Sequence, residues 1–142
     1  MIYLKPLTKT LNMKKQNVST AFIAASWVAL GAGMIGFIVG LARAEMQLNE
    51  KGYYFTILLY GLFAVVSLQK AVRDRLENIK VTDIYYGICW FATLSSIVLL
   101  AIGLWNATIL PSEKGFYGFA FLLALFGAIA VQKNTRDNML QE

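Results

Sequence analysis

Histidine is absent from the 142 residues, and cysteine occurs once, at Cys89. The first absence excludes zinc or haem held by histidine, and any Ser-His or Cys-His catalytic pair. The second excludes a disulfide within one chain. Charge is scarce as well: Asp, Glu, Lys and Arg make up 15% of the residues, where a soluble domain carries about 25%. Apolar residues fill the space, at 58% of the chain with a mean hydropathy of +0.57. That composition excludes a disordered chain and argues against an ordinary soluble domain.

The few charges are unevenly placed. No Asp, Glu, Lys or Arg occurs from Val18 to Ala42, and none from Ile84 to Thr108. Gly52 to Gln69 and Gly115 to Gln132 are two shorter uncharged runs. Each of the four meets the length of roughly 17–25 residues that a helix needs to cross about 30 Å of hydrocarbon. In lipid the backbone must satisfy its own hydrogen bonds, which selects helix. Four buried soluble helices would be amphipathic, and these are apolar all round.

Lys and Arg set the expected orientation. The N-terminal tail, the central loop and the C-terminal tail hold 10 of them: Lys5, Lys9, Lys14, Lys15, Lys70, Arg73, Arg75, Lys80, Lys133 and Arg136. The two remaining loops hold 3: Arg43, Lys51 and Lys114. The positive-inside rule then places both termini and the central loop in the cytoplasm. A cleaved signal peptide competes for the first span, because Ala42-Arg43-Ala44 resembles a cleavage site. The uncharged run before it is longer than a signal core of about 7–15 residues, so the span is read as retained.

Laid over itself with Val18 on Val81, the sequence matches without a gap, and residues 18–75 equal 81–138 at 17 of 58 positions. Polar positions carry much of the match. Glu50-Lys51-Gly52 and Tyr54 equal Glu113-Lys114-Gly115 and Tyr117, and Gln69-Lys70 and Arg73-Asp74 equal Gln132-Lys133 and Arg136-Asp137. The chain divides into a basic tail (1–17), a first two-helix repeat (18–80) and a second (81–142). Each copy has an even number of spans, so both insert with the same orientation, about an axis along the membrane normal. The expected fold is an all-α membrane protein of four spans in two tandem helical hairpins.

The segments Ala44–Phe55, Gly103–Thr108, Ser112–Gly118 and Val131–Asn134 resemble the YiaA/YiaB family of small bacterial inner-membrane proteins. The resemblance covers roughly residues 20 to 137. It implies a duplicated two-helix domain in the bacterial inner membrane, and it implies no activity and no catalytic residue. The stretch from Met1 to Asn12 departs from the family pattern, which makes Met13 a candidate start.

Four groups of residues are candidate sites. The first is the periplasmic loop set Glu50, Lys51, Gly52 with Glu113, Lys114, Gly115. One reading is a carboxylate pair that binds a cation or a partner. The favoured reading is helix capping by Asn49 and Ser112, close approach at the glycines, and anchoring by Tyr53, Tyr54, Phe116 and Tyr117. The second is Gln69, Lys70, Arg73, Asp74 with Gln132, Lys133, Arg136, Asp137. It reads as a membrane-edge anchor for anionic headgroups, or as a docking surface for a cytoplasmic partner or lipid. The third is the intramembrane aromatic pair Trp27 and Trp90, read as core packing or as a platform for a lipophilic ligand, with Ser26, Thr93, Ser95 or Ser67 as indole acceptors. The fourth is the small-residue faces Ala32, Gly36, Gly40 of span 1 and Ala120, Ala124, Ala128 of span 4. They predict packing of span 1 on span 4, or self-association. In span 3 the first face becomes Ser95, Leu99 and Gly103, so the copies differ there, and that face is a candidate for a partner.

No charged residue lies inside a span, whereas coupled transporters and pumps keep one there. Cys89 reads as a small apolar residue. Neither cofactor, metal nor nucleic acid is expected. The leading expectation is a non-enzymatic interaction or accessory subunit, either homo-oligomeric or part of a larger membrane complex. The alternative is an oligomeric channel or carrier for a small or lipophilic solute.

Overall fold

The computed structural model describes residues 18–141. The basic tail and Met13 lie outside the described residues. Four helices make up the fold: α1 (Thr20–Arg43), α2 (Leu48–Leu76), α3 (Asp83–Asn106) and α4 (Pro111–Gln141). All four are long and apolar enough to cross a membrane. The 29 residues of α2 span about 44 Å at 1.5 Å per residue, more than the roughly 30 Å of hydrocarbon. The charged ends of α2 and α4, beyond Gln69 and Gln132, therefore project past the apolar layer.

The repeat governs where helices start and stop. Ser19 caps α1 by accepting from the Phe22 N–H at 3.1 Å, and Thr82, its counterpart in the second copy, caps α3 by accepting from Tyr85 at 3.2 Å. Ala44 and Ala107 end α1 and α3 in the same way, each amide turning back to Leu41 or Leu104. At the other end of α2, Asn78 takes a left-handed φ of 60°, and the Ile79 amide bonds the Asp74 carbonyl at 2.8 Å. Asparagine tolerates that conformation, and the bond closes a Schellman-type stop. The expected caps at Asn49 and Ser112 are not formed. Helix α2 begins at Leu48 behind Gln47, and α4 begins at Pro111, so both residues sit inside the first turn. Proline at the first position lacks only an N–H that the helix leaves free in any case.

Connectivity is hairpin-like, but the packing partners are exchanged between the copies. Helix α1 lies mainly on α4, α3 lies mainly on α2, and α2 meets α4 at the centre. The two helices of one copy touch far less than each touches the other copy. The α1–α2 and α3–α4 turns lie at one end (the turn end), and the central loop and C-terminus at the other (the charged end). Buried positions obey the repeat: Leu58 and Phe121 are fully enclosed at the centre, and Tyr54, Ile57 and Val65 correspond to Tyr117, Ala120 and Ala128.

Lipid offers apolar side chains no advantage in meeting one another, so close packing must hold the helices together. Glycine permits it on α1 and α4. A Cβ on Gly33 would sit 2.5 Å from the Ala124 amide nitrogen, and one on Gly127 would strike the Leu30 backbone. The contact sets α1 on α4, with Ala120, Ala124 and Ala128 buried in it. The α1 face, however, is one position off the expected one: Ala32 is exposed and Gly33 is buried, while Gly36 and Gly40 lie against Phe116. At Gly33 and Gly127 the other copy has Ser96 and Ala64, so α3 and α2 lack this glycine pair.

A Gly33→Ala variant is expected to lose about 2–4 kcal/mol, because its new methyl meets backbone rather than a movable side chain. Gly87→Ala, with open space at that position, is expected to be neutral or stabilising by up to about 1 kcal/mol. Thermal unfolding of both variants in one detergent checks the contrast.

Candidate functional site

The repeated Gln-Lys and Arg-Asp motifs meet at the charged end. Arg73 on α2 donates to Asp137 on α4, and Arg136 on α4 donates to Asp74 on α2 at 2.5 Å. These two bonds are exchanged by the repeat. Each aspartate also accepts from the lysine one turn before it, Lys70 to Asp74 and Lys133 to Asp137, both at 2.8 Å. Glu77 joins from the end of α2, accepting from Arg73 at 3.2 Å and from Arg136 at 2.5 Å. Hydrogen bonding from Lys70, joined by Arg136, holds the Asp74 carboxyl below its usual range against the effect of burial. Burial pushes the Asp137 carboxyl up, but the bonds from Lys133 and Arg73 outweigh it and leave it low.

The two arginines face each other's aspartates, with side chains about one-sixth exposed. They clasp α2 to α4 and leave little free for headgroups or a partner. Lys70 and Lys133 keep half of their side-chain surface in solvent, and Gln69 and Gln132 are half-buried. Only the lysines therefore retain the geometry of a headgroup anchor. Arg75 acts separately: it pairs with Asp83 at 2.7 Å and covers the Tyr86 ring at 3.9 Å, tying the end of α2 to the start of α3 across the central loop.

The turn end holds the other repeated set. Lys51 and Lys114 are half-buried, and the Lys51 ammonium donates to the Ala42 carbonyl at 3.2 Å. Gly52 and Gly115 have no neighbour near enough to need a glycine. Close approach occurs instead at Gly40 and Gly103: a Cβ there would come within 2.8 Å of Phe116 and 2.6 Å of Tyr53. These contacts are again exchanged by the repeat, so each copy's first helix receives an aromatic ring from the other copy's second helix. Tyr54 and Tyr117 are buried core residues, not lipid-facing anchors. Their rings stack at 6.3 Å and 15° where the copies meet.

Trp27 and Trp90 are not a pair. They are 57% and 43% exposed, and α1 and α3 make no contact. Both indoles lie on the outer sides of their helices, away from the faces docked on the other copy. Three of the expected or neighbouring hydroxyls turn to the backbone of their own helices and not to an indole: the Ser26 hydroxyl donates to the Phe22 carbonyl at 2.8 Å, Thr93 to Cys89 at 2.9 Å, and Ser96 to Thr93 at 2.7 Å. Asn134 is a buried polar residue that sequence reasoning missed; its amide donates to Ser26 at 3.1 Å across α1 and α4. The other copy replaces this pair with Cys89 and Ala71, both buried. Among the described residues, no group of His, Cys, Asp and Glu is arranged to hold a metal ion.

These features define a class: a four-helix membrane protein built from twinned two-helix units that complete each other. The yiaA/B two helix domain matches residues 22–74 and again 85–137, so the chain belongs to the YiaA/YiaB family. It is 56% identical to the inner membrane protein YiaA of Escherichia coli over 127 residues, 89% of this chain and 88% of the relative. It is 33% identical to the inner membrane protein YiaB of the same organism over 95 residues, 67% of this chain and 80% of the relative. It is also 33% identical to the uncharacterized membrane protein YubF of Bacillus subtilis over 61 residues, 42% of this chain and 70% of the relative. No solved structure matches the chain. The two matched segments stand in the same register as the internal repeat: position 22 falls on 85, and 74 on 137.

Reversing one charge, as in Arg73→Asp, is expected to cost about 1–3 kcal/mol, between the values for exposed and for buried pairs. Adding Asp137→Arg should restore most of it, and a double-mutant cycle on detergent unfolding measures the coupling. The clasp also has a pH limit. Both aspartates are low in the folded state, so their contribution is complete above the ordinary carboxylate value of about 4 and is lost as pH falls through the folded values. Melting temperature should be flat down to about pH 4 and fall below it, less so in Asp74→Asn.

Proposed function

We propose that the protein is a non-enzymatic subunit of the bacterial inner membrane, with both termini in the cytoplasm, that works by lateral association. The observation that carries this reading is the use of the polar groups at membrane depth. The Ser26, Thr93 and Ser96 hydroxyls donate to carbonyls of their own helices and all three residues are buried, so none of the three lines an open path for a solute. The family relationship supports the inner membrane, and the 10-to-3 division of Lys and Arg supports the orientation.

The faces available for association differ between the copies. A groove of about 540 Å³ runs along α2 and α3, lined by Tyr60, Phe91, Leu94, Ser95, Val98 and Leu99. On α1 the corresponding positions are mostly smaller: Val28, Gly31, Ala32, Ile35 and Gly36. A twinned protein whose two lipid-facing sides differ this much can offer one side to a partner without offering the other.

Purification in mild detergent followed by native mass spectrometry tests the reading. A homo-oligomer, or a fixed ratio to other membrane subunits, is expected, and bulky substitution at Ser95 should reduce it. A monomer without a co-purifying subunit would overturn the proposal. Ion flux in proteoliposomes that disappears in Ser95→Leu would replace it with the channel or carrier reading. A C-terminal reporter should be active on the cytoplasmic side.

A further inference from the structure

Two clefts open at the turn end. The larger, about 760 Å³, lies between the end of α1 and the start of α4; the smaller, about 420 Å³, lies between the end of α3 and the start of α2. They are copies of each other. Every residue that lines the smaller cleft has its repeat counterpart in the larger one. Four of these pairs are identical in type: Gly40 and Gly103, Ala44 and Ala107, Glu50 and Glu113, Tyr54 and Tyr117. Packing alone accounts for the glycine and the alanine, but it does not require a carboxylate above a phenol at the same wall of each cleft.

Within each cleft the glutamate precedes the tyrosine by four positions, so the two share one helix face. Tyr54 and Tyr117 are each 4% exposed. Tyr53 beside them donates its hydroxyl to the Leu99 carbonyl at 2.6 Å. The Tyr54 and Tyr117 hydroxyls, by contrast, have no hydrogen-bond partner among the described residues, and the two side chains form walls of the clefts. The Tyr54 hydroxyl lies close to Gly103, where a Cβ would come within 3.1 Å of it. Glu50 and Glu113 form no salt bridge among the described residues. The smaller cleft thus carries one negative charge from Glu50. The larger carries Glu45 and Glu113 against Arg43, again a net of one.

We infer that the two clefts are a twinned binding site for a protonated primary amine. The carboxylate neutralises the ammonium charge, and the tyrosine hydroxyl, the accessible tip of an otherwise buried side chain, accepts one of its N–H bonds. The neighbouring ring, Tyr53 or Phe116, offers an aromatic wall to the cation. A quaternary ammonium has no N–H to donate and leaves the hydroxyl unmatched. The amine can come from the headgroup of an ethanolamine lipid or from a free solute, since the clefts lie at the end of the apolar layer. This inference concerns a ligand and stands apart from lateral association, so a monomeric protein that binds amines would overturn only the latter.

The test uses the full chain in mild detergent. Calorimetric titration with ethanolammonium should give two sites per chain, with tetramethylammonium at least tenfold weaker. Glu50→Gln and Glu113→Gln should each remove one site and together remove both. Tyr54→Phe and Tyr117→Phe keep the ring and should weaken their own site about tenfold or more. Unchanged melting temperatures confirm that these variants are folded. Native mass spectrometry supplies the second arm: retention of phosphatidylethanolamine over phosphatidylglycerol, lost in the double glutamine variant, assigns the site to lipid. Ethanolammonium binding without such retention assigns it to a soluble amine. Absence of both, or binding that survives the double glutamine variant, would overturn the inference.

Discussion

The exchange of Arg73 and Arg136 between Asp137 and Asp74 is the contact on which the arrangement turns. Helices in lipid gain nothing from hiding apolar side chains, so their association depends on tight fit and on polar groups that need partners. At the centre the fit is supplied by Leu58 and Phe121, and by Gly61, which leaves room for the Phe121 ring. At the end, each guanidinium finds its aspartate only on the other copy. A slip of α2 along α4 by one turn would separate both pairs together, so the ionic bonds fix a register that the apolar surfaces alone would leave loose.

The same exchange explains why the unit is duplicated. Each first helix reaches past its own second helix to dock on that of the other copy, and each terminal glycine, Gly40 or Gly103, receives a ring from across the axis. A single unit would expose the face that its partner covers. Symmetry is then relaxed where it is not needed. Gly33 and Gly127 bring α1 close to α4, while Ser96 and Ala64 stand at the corresponding places of α3 and α2. The Ser26 and Asn134 hydrogen bond has only Cys89 and Ala71 opposite it.

Spans, boundaries and the repeat are legible in the sequence because uncharged length and an ungapped offset are one-dimensional signals. The spatial partners are not. The motif Arg73-Asp74 and its copy stand out along the chain, but nothing there says that each is the other's counterion; only the facing of α2 and α4 does. The inward face of α1 lies at Gly33 and not at Ala32, because a helix that is apolar all round has no polar side to fix its phase. The expectation for Trp27 and Trp90 fails in a related way, since their matched positions imply a meeting that the exchanged packing prevents. The signal that points to the clasp is charge complementarity within the repeat itself: a motif holding both a cation and an anion, present twice, is able to satisfy itself.

The exchanged packing also sets an order of assembly. Helix α1 emerges from the ribosome three helices ahead of α4, the surface it rests on. Between those moments α1 has little but lipid as its surroundings, and Arg73 lacks the aspartate it will hold across the axis. Synthesis of α4 therefore closes the α1 contact and the ionic clasp in one step, and it is the arrival of that helix that locks the bundle. In that sense the protein is a dimer whose two subunits are joined by the segment from Glu77 to Thr82.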